Sequence, residues 1–476
     1  MRLAWFSPMP PVPTGIATDS AGLVSELRTR HQIDVYTDEA SGHGKTRIDT
    51  EGGQFRRAQG TSPAHEFVSR HRINPYALTV YQVGNSSHHD YLWPYLFRYP
   101  GLTVLHDAHL HHARAAALLR TKRVDDYRAE FAANHPGVSA DLAELAVAGF
   151  DNHLYYSWPM TRLVVEASRL TAVHAPLVAR QLKEELPHAA VTAIRLAHGE
   201  PLDEDQVRRA RSDVRAKHGI KDDAVVFGVF GGLTPEKRLP QVLDALAAIL
   251  PYAPSAHLLL AGAAAGYYDV AADVRRHRLD GRTTITGYLE TDAELTGCIA
   301  ACDVSINLRW PTAREMSGPW LRALAAGRPT ITIDLEHLAD VPALDPRTWR
   351  MNQVATRPDP ANREQRTTNS DTIDPVTVAI DILDEDHSLR AAMRRLASDP
   401  ALRASLGAAG RRYWAREHSM PRMVEDYERV LTEAAARPAP RVRLPAHMVT
   451  NGDRVLKQVQ DAFGVGDILG IGSGRT

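Results

Sequence analysis

The stretch from Arg309 to Asp334, RWPTAREMSGPWLRALAAGRPTITID, constrains the fold more than any other part of the chain. It starts at the end of an apolar strand, DVSINLRW, and crosses a loop that holds Pro311, Glu315 and the Ser317-Gly318 pair. It then enters a helix, PWLRALAAG, where Pro319 falls in the first turn and its missing N–H costs nothing. Gly327 stops that helix and TITID begins another strand. Strand, loop, helix and parallel strand in this order leave unpaired N–H groups at the helix start, where the dipole favours an anion. Glu315 has two readings here. It caps the helix, or it accepts hydrogen bonds from a polyhydroxylated ligand while the backbone N–H groups take a phosphate, which suggests a sugar nucleotide.

The remainder of the chain repeats the β/α alternation. RLAWFS (2–7) reads as a buried strand, PMPPVPTG as a loop ending at Gly15, IATDSAGLVSELRTR as a helix and QIDVYT as a second strand. Gly15 would let a ligand approach the backbone closely. ALTVYQVGN (77–85) and LTVLHD (102–107) read as parallel strands, so Asn85, His106 and Asp107 fall at carboxyl ends, where open α/β sheets bind ligands. Each also suits the plainer role of capping a loop. From His109 to about Leu186 the pattern is mostly helical. Its arginine-bearing part, ARAAALLRTKRVDDYRAEF, reads as a solvated face or as a surface that docks an acceptor or a membrane. RLTAVH (169–174) and AVTAIRLAHG (190–199) return to strands, and a boundary is expected near Gly199-Glu200-Pro201.

A second series follows: strands VVFGVFG, HLLLAG, TTITGY, VSINLR and TITID alternate with helices expected near 236–250, 268–277, 290–301 and 318–326. The turn FGGLTPEKRLPQVLDAL carries Gly231-Gly232 and then Lys237-Arg238 at the helix entry. Cations at a helix start oppose the dipole, a cost that makes sense where an anion sits. The turn matches neither the dinucleotide fingerprint nor the P-loop. Residues 345–375 read as a long surface loop, and the glycines of GVGDILGIGSG precede no helix, so 437–476 is expected to be a flexible tail.

At 476 residues more than one domain is expected, and 44% hydrophobic with 24% charged residues is ordinary for a globular chain. The formal net charge of -1 gives no pull toward nucleic acid or an anionic membrane. The two cysteines, Cys298 and Cys302, lie one helical turn apart and read as core thiols, not as a disulfide or a metal site. No signal peptide, spanning segment or lipidation motif is read, so a cytoplasmic protein is expected.

Taken together, these pieces resemble the family-4 retaining glycosyltransferases. The resemblance is carried in order by FSPMPPVPTGIATDSAGLVSEL, YQVGNSSHHDYLWPYLFRYPGLTVLHDAHLHHA, FGGLTPEKRL, GYLETDAELTGCIAACDVSINLRWPTAREMSG, LRALAAGRPTI and REHSMPRMVEDYERVL. It implies an α/β fold of GT-B type, two Rossmann-like domains facing across a cleft, with C-terminal helices crossing back to the first. The expected division is 1–199 on the acceptor side, 200–415 for the donor, 416–436 as the crossing helix and 437–476 as tail.

The resemblance also implies a nucleoside-diphosphate sugar as donor, carrying UDP or GDP, and retention through a loose, oxocarbenium-like transition state. A glycan, lipid-linked or small-molecule acceptor is expected and no nucleic acid, with peripheral membrane contact through the arginine-bearing stretch as an alternative to a plain solvated face. By matching positions, Lys237 neutralises the leaving diphosphate beside Arg238, and Glu315 touches the donor sugar. Ser317 and Gly318 supply backbone donors, the backbone of Tyr288 reads the base, Gly15 lies near the phosphates, and His106 lies near the reacting centre. Asn85 and Asp107 are candidates on the acceptor side. Two positions depart from the family. Gly232 stands where an arginine is expected, and the second glutamate of the paired motif is missing, leaving Arg322 or Ala323. Arg309 and Arg322 are the candidates to restore positive charge. No carboxylate pair is placed like a metal clamp, so a metal-free reaction is expected. The alternatives are a sugar-nucleotide epimerase of the same fold and a non-catalytic sugar-nucleotide binder.

Overall fold

The computed structural model describes residues 1–38, 60–150, 153–335, 338–352 and 374–449. Two seven-stranded sheets organise it. The first holds β1 (Arg2–Phe6), β2 (Gln32–Thr37), β3 (Thr61–Pro63), β4 (Leu78–Val83), β5 (Leu102–Leu105), β6 (Leu170–Val173) and β7 (Val191–Ala193). Its order is β3-β2-β1-β4-β5-β6-β7, with every pairing parallel. The second holds β8 (Val225–Phe230), β9 (Ala256–Ala261), β10 (Thr283–Ile285), β11 (Val304–Asn307), β12 (Thr330–Ile333), β13 (Ala343–Leu344) and β14 (Thr377–Ile380). Its order is β10-β9-β8-β11-β12-β14-β13, again parallel throughout. This is the expected α/β architecture of GT-B type. Strands such as β4 are buried along their whole length, as they must be when helices cover both faces of a parallel sheet.

Strand order places the site. Each sheet has a switch point at its centre, between β1 and β4 and between β8 and β11, and the loops leaving those strands diverge to open a crevice; in the second sheet β13 is added beyond β14 at the edge. The loop after β1 leads to Gly15, and the strand end of β4 leads to Asn85. The loop after β8 holds Gly231 to Lys237, and the loop after β11 holds Arg309 to Ser317.

The helix Met420–Ala436 fastens the end of the chain back onto the first sheet. Its buried positions, Met423, Tyr427, Val430, Leu431 and Ala434, follow helical spacing and make one apolar stripe. That stripe joins Trp5, Val80 and Val104 of the first sheet and Trp320, Leu321 and Leu324 of the second domain's helix in a single core. Each fully buried large aliphatic side chain in such a core contributes roughly 1.5–3 kcal/mol. Tyr427 stacks on Trp5 at 5.7 Å, and Arg195 grips Asp426 with two bonds of 2.8 and 3.0 Å.

Three features differ from expectation. The helix expected near 236–250 is a 3-10 turn, Pro235–Lys237, followed by an α-helix, Leu239–Ile249, with Arg238 between them at φ 59°. Pro240 is the reason. Its ring tolerates a first-turn position but would clash with the carbonyl of a longer helix before it. After the loop expected over 345–375 comes a strand that was not read from the sequence, β14 from Thr377, whose VTVAI run is β-branched and buried; 353–373 lie outside the described residues. The tail is the third correction. Residues up to Val449 are laid against the first domain, with Met448 and Leu444 in its core and His447 Nε2 2.8 Å from Glu130 Oε1. Two apolar side chains and a buried acid hold it there, whereas 450–476 and their glycines lie outside the described residues. Cys298 and Cys302 are buried free thiols, as read.

Candidate functional site

The two loops at the second sheet's switch point build one cavity, whose lining includes Lys237, Asn307, Arg309, Glu315, Ser317 and Gly318. Lys237 leaves the 3-10 turn and returns over β8, where its ammonium donates to the Phe230 carbonyl. Gly231 makes this possible. It turns the chain at φ 80°, and a Cβ there would stand 3.1 Å from the Lys237 Nζ. Burial drives the Lys237 pKa down to about 7, with Arg309 adding to the fall and Glu315 opposing it.

Glu315 does not cap the helix Gly318–Ala325. Ser317 does, its hydroxyl accepting from the Trp320 N–H at 3.3 Å. Glu315 is held instead by Arg309 Nε at 2.7 Å and by the Thr312 hydroxyl at 2.9 Å. Of its two readings, the geometry removes the cap. Burial works against the Arg309 charge, but Glu315 and Asp107 outweigh it and hold the guanidinium's pKa above its ordinary value.

The first domain meets the loop that carries Glu315 through the segment after β5. The backbone N–H groups of Ala108 and His109 donate to the Ala313 carbonyl at 2.9 and 3.1 Å, across the two domains. Asp107 accepts from the Asn85 N–H at 2.7 Å. Burial first, then the charge of Glu315, pushes the Asp107 pKa up to about 7, against the pull of the Asn85 N–H and Arg309. Asn85 does a second job, its side-chain oxygen accepting from the Ala113 N–H at 2.9 Å in the first turn of the helix His111–Leu119. Asp107 and Glu315 thus form a pair of acids flanking one arginine, with Lys237 close by.

Not every candidate joins this group. His106 faces Gln82, 2.7 Å away, and packs at 4.9 Å on the His174 ring; burial and His174 hold it well below the usual histidine range, so it is neutral. Its neighbour Asp107 is the residue that meets the second domain. Arg238 turns its guanidinium to the buried Glu385 and to the Trp310 ring at 5.4 Å, away from the cavity. Tyr288 is 66% exposed on the loop after β10, and Gly232 is exposed beside Gly231. Gly15 opens the helix Gly15–Leu27, capped by Thr14, and a Cβ there would meet open space. Arg322 points to His198, 2.8 Å from its Nε2, and to Asp292 at 3.1 Å.

Sequence reasoning missed Glu236, whose charge is felt at Arg309, and Tyr156, whose phenol lies near the same guanidinium and is held neutral by burial. It missed His198 as well. Tyr156 belongs to a helical stretch with no motif, and only the fold brings it to the cleft. Among the described residues no three His, Cys, Asp or Glu side chains converge as a metal-binding group.

Residues 224–348 match the family model described as Glycosyl transferases group 1. No curated protein matches the chain. Among solved structures it is similar to the sucrose-phosphate synthase of Thermosynechococcus elongatus, with a TM-score of 0.57 and 14% identity over 91% of this chain and 98% of that one. A glycosyltransferase of Rickettsia africae gives 0.56 and 11% over 92% and 99%. The Anabaena protein HepE, in complex with UDP and glucose, gives 0.53 and 14% over 91% and 99%. At these identities the likeness speaks for the fold, and the family model speaks for the second domain. The chain therefore carries a glycosyl transferases group 1 domain within a GT-B fold, and it is a glycosyltransferase.

Proposed function

We propose that the protein moves a sugar from a nucleoside-diphosphate sugar, carrying UDP or GDP, to a carbohydrate, lipid-linked or small-molecule acceptor, with retention of anomeric configuration. The observation that carries this reading is the meeting of Lys237, the Arg309–Glu315 pair and the Ser317–Gly318 helix start in one cavity at a switch point. The donor diphosphate lies against the helix start, where the Ser317 and Gly318 N–H groups meet it; Pro319 has no N–H, and those of Trp320 and Leu321 already go to Ser317. Lys237 supplies the cation. Its proton is weakly held without ligand, and a diphosphate alongside restores it. Glu315, fixed by Arg309 and Thr312, accepts from donor-sugar hydroxyls.

In the reaction the bond from the anomeric carbon to the phosphate oxygen breaks, and its electron pair leaves with the diphosphate. The acceptor oxygen forms its bond on the same face, and its proton passes to the departing phosphate oxygen. Lys237 and Arg309 stabilise the charge that collects on the diphosphate, a task that needs prearranged cations more than a metal. Asp107, anchored by Asn85, stands on the first-domain side to hold the acceptor hydroxyl. Residues 1–199 then serve the acceptor and 200–415 the donor. HepE, solved with UDP-glucose as well as with UDP and glucose, favours a uridine nucleotide as the first to try. Among the described residues no helix is long and apolar enough to cross a membrane.

The test is incubation with UDP- and GDP-sugars and a panel of sugar and lipid-linked acceptors. Acceptor-dependent release of UDP or GDP, with a product of donor anomeric configuration by NMR, is expected. An altered nucleotide sugar formed without any acceptor would show an epimerase instead.

A further inference from the structure

We infer that His198 is a positioning residue that ties the donor helix Gly318–Ala325 to the helix Gly15–Leu27 of the first domain; the inference rests on the donor reading above. His198 lies in the segment leaving the first sheet. Its Nδ1 is 2.5 Å from Asp19 Oδ1, on the helix Gly15–Leu27, and its Nε2 is 2.8 Å from Arg322 Nε, on the helix Gly318–Ala325. A guanidinium only donates, so Nε2 must accept, and the imidazole's one proton sits on Nδ1 and goes to Asp19. The tautomer is fixed by its partners, and one neutral ring joins an acid of the first domain to a base of the second. Arg322 continues the chain to Asp292 at 3.1 Å.

The three side chains are enclosed, with 8, 11 and 12% of the His198, Asp19 and Arg322 surfaces exposed. The backbone is equally constrained. Trp414 Nε1 donates to the His198 carbonyl at 2.9 Å, and Gly199 turns the chain at φ 83°, where a Cβ would stand 2.9 Å from the Arg322 Cα. The ring also lies against the donor turn itself, because a Cβ on Gly318 would come within 3.1 Å of His198 Nε2. Asp19 and Arg322 each sit one turn inside their helices, roughly 6 Å along the axis from the starts. The relay thereby fixes the start of the donor helix against the first domain, and with it the position of the Ser317 and Gly318 N–H groups that meet the diphosphate. Arg322, read from the sequence as a candidate to restore positive charge at the donor site, is thereby given a different partner.

Three variants test this. Phe in His198→Phe fills the space without either bond. His198→Gln keeps both, its amide N–H reaching Asp19 and its oxygen accepting from Arg322. Arg322→Met cuts the far link. The expected result is a rise of about 10-fold or more in donor KM and in UDP or GDP Kd for His198→Phe, with kcat at saturating donor within about 3-fold. His198→Gln should recover to within about 3-fold of the parent, and His198→Phe combined with Arg322→Met should be no worse than either alone. Parental KM in a folded His198→Phe protein, equal loss in His198→Gln, or additive losses in the double variant would overturn it. If the parent binds no nucleoside diphosphate, the donor reading has failed on its own, and hydrogen exchange of the ligand-free protein then decides the relay. Exchange about 10-fold faster at the starts of both helices in His198→Phe than in His198→Gln supports it, and equal exchange refutes it.

Discussion

Lys237 offers the sharpest quantitative test of the donor cavity. Its pKa of about 7 means that half of the ligand-free protein carries the ammonium at pH 7 and about 1% at pH 9. A diphosphate is fully ionised above pH 7, since its last proton leaves near pH 6, so the ligand adds no titration of its own. If only the ammonium form takes the diphosphate, the apparent Kd grows by about 2-fold at pH 7 and about 100-fold at pH 9. The net loss of about 50-fold is roughly 2.3 kcal/mol. A lysine with the ordinary value of 10.5 would lose almost nothing over that range. Asp107, also near 7, adds a negative charge in the same window and the same direction, so Asp107→Asn is the control that isolates the lysine. The assay is calorimetric titration with UDP and GDP from pH 6 to 9 on the parent, Asp107→Asn and Lys237→Met. A steep fall that persists in Asp107→Asn and vanishes in Lys237→Met is expected. A flat profile in the parent would refute the buried-cation argument. The same group makes the ligand-free fold gain stability as pH rises from about 7 toward 10.5, because over that window the unfolded chain holds a proton that the folded one has lost.

Glu315→Ala should lower the transfer rate about 100-fold or more, near 2.7 kcal/mol, with the melting temperature almost unchanged, because Ser317 and not Glu315 caps the helix. Parental turnover would remove Glu315 from the site. Arg238→Ala should do the reverse. It strands the buried Glu385 and costs about 3 kcal/mol in denaturant unfolding, while UDP or GDP affinity holds. EDTA should leave the transfer rate within about 2-fold, since Lys237 and Arg309 carry the charge neutralisation; loss on chelation, restored by magnesium or manganese, would contradict that.

What was legible in the sequence follows from what is local. Lys237, Glu315, Ser317 and Gly318 were readable because a strand, a turn and a helix start are written in consecutive residues. Both parallel sheets were readable for the same reason. The break at Arg238 was also there to be read, in Pro240. Partners far along the chain were not. Arg238 looked like a phosphate cation because Glu385, its partner, is 147 positions away. His106 drew attention over Asp107, yet only the closure of Ala108 and His109 on Ala313 shows which of the two neighbours faces the second domain. The Asp19–His198–Arg322 relay spans three distant segments and has no motif. β14 was missed although VTVAI carries the β-branched signature, because the strand is only 4 residues long and stands alone between a polar loop and a helix.

Equilibrium binding of UDP, GDP, ATP and NAD to the parent protein tests the central claim most directly. One equivalent of UDP or GDP should bind per chain, with affinity weakened but still measurable in Lys237→Met, and ATP and NAD should give no heat beyond dilution. No binding of either diphosphate at millimolar concentration, or equal binding of ATP or NAD, would contradict the account.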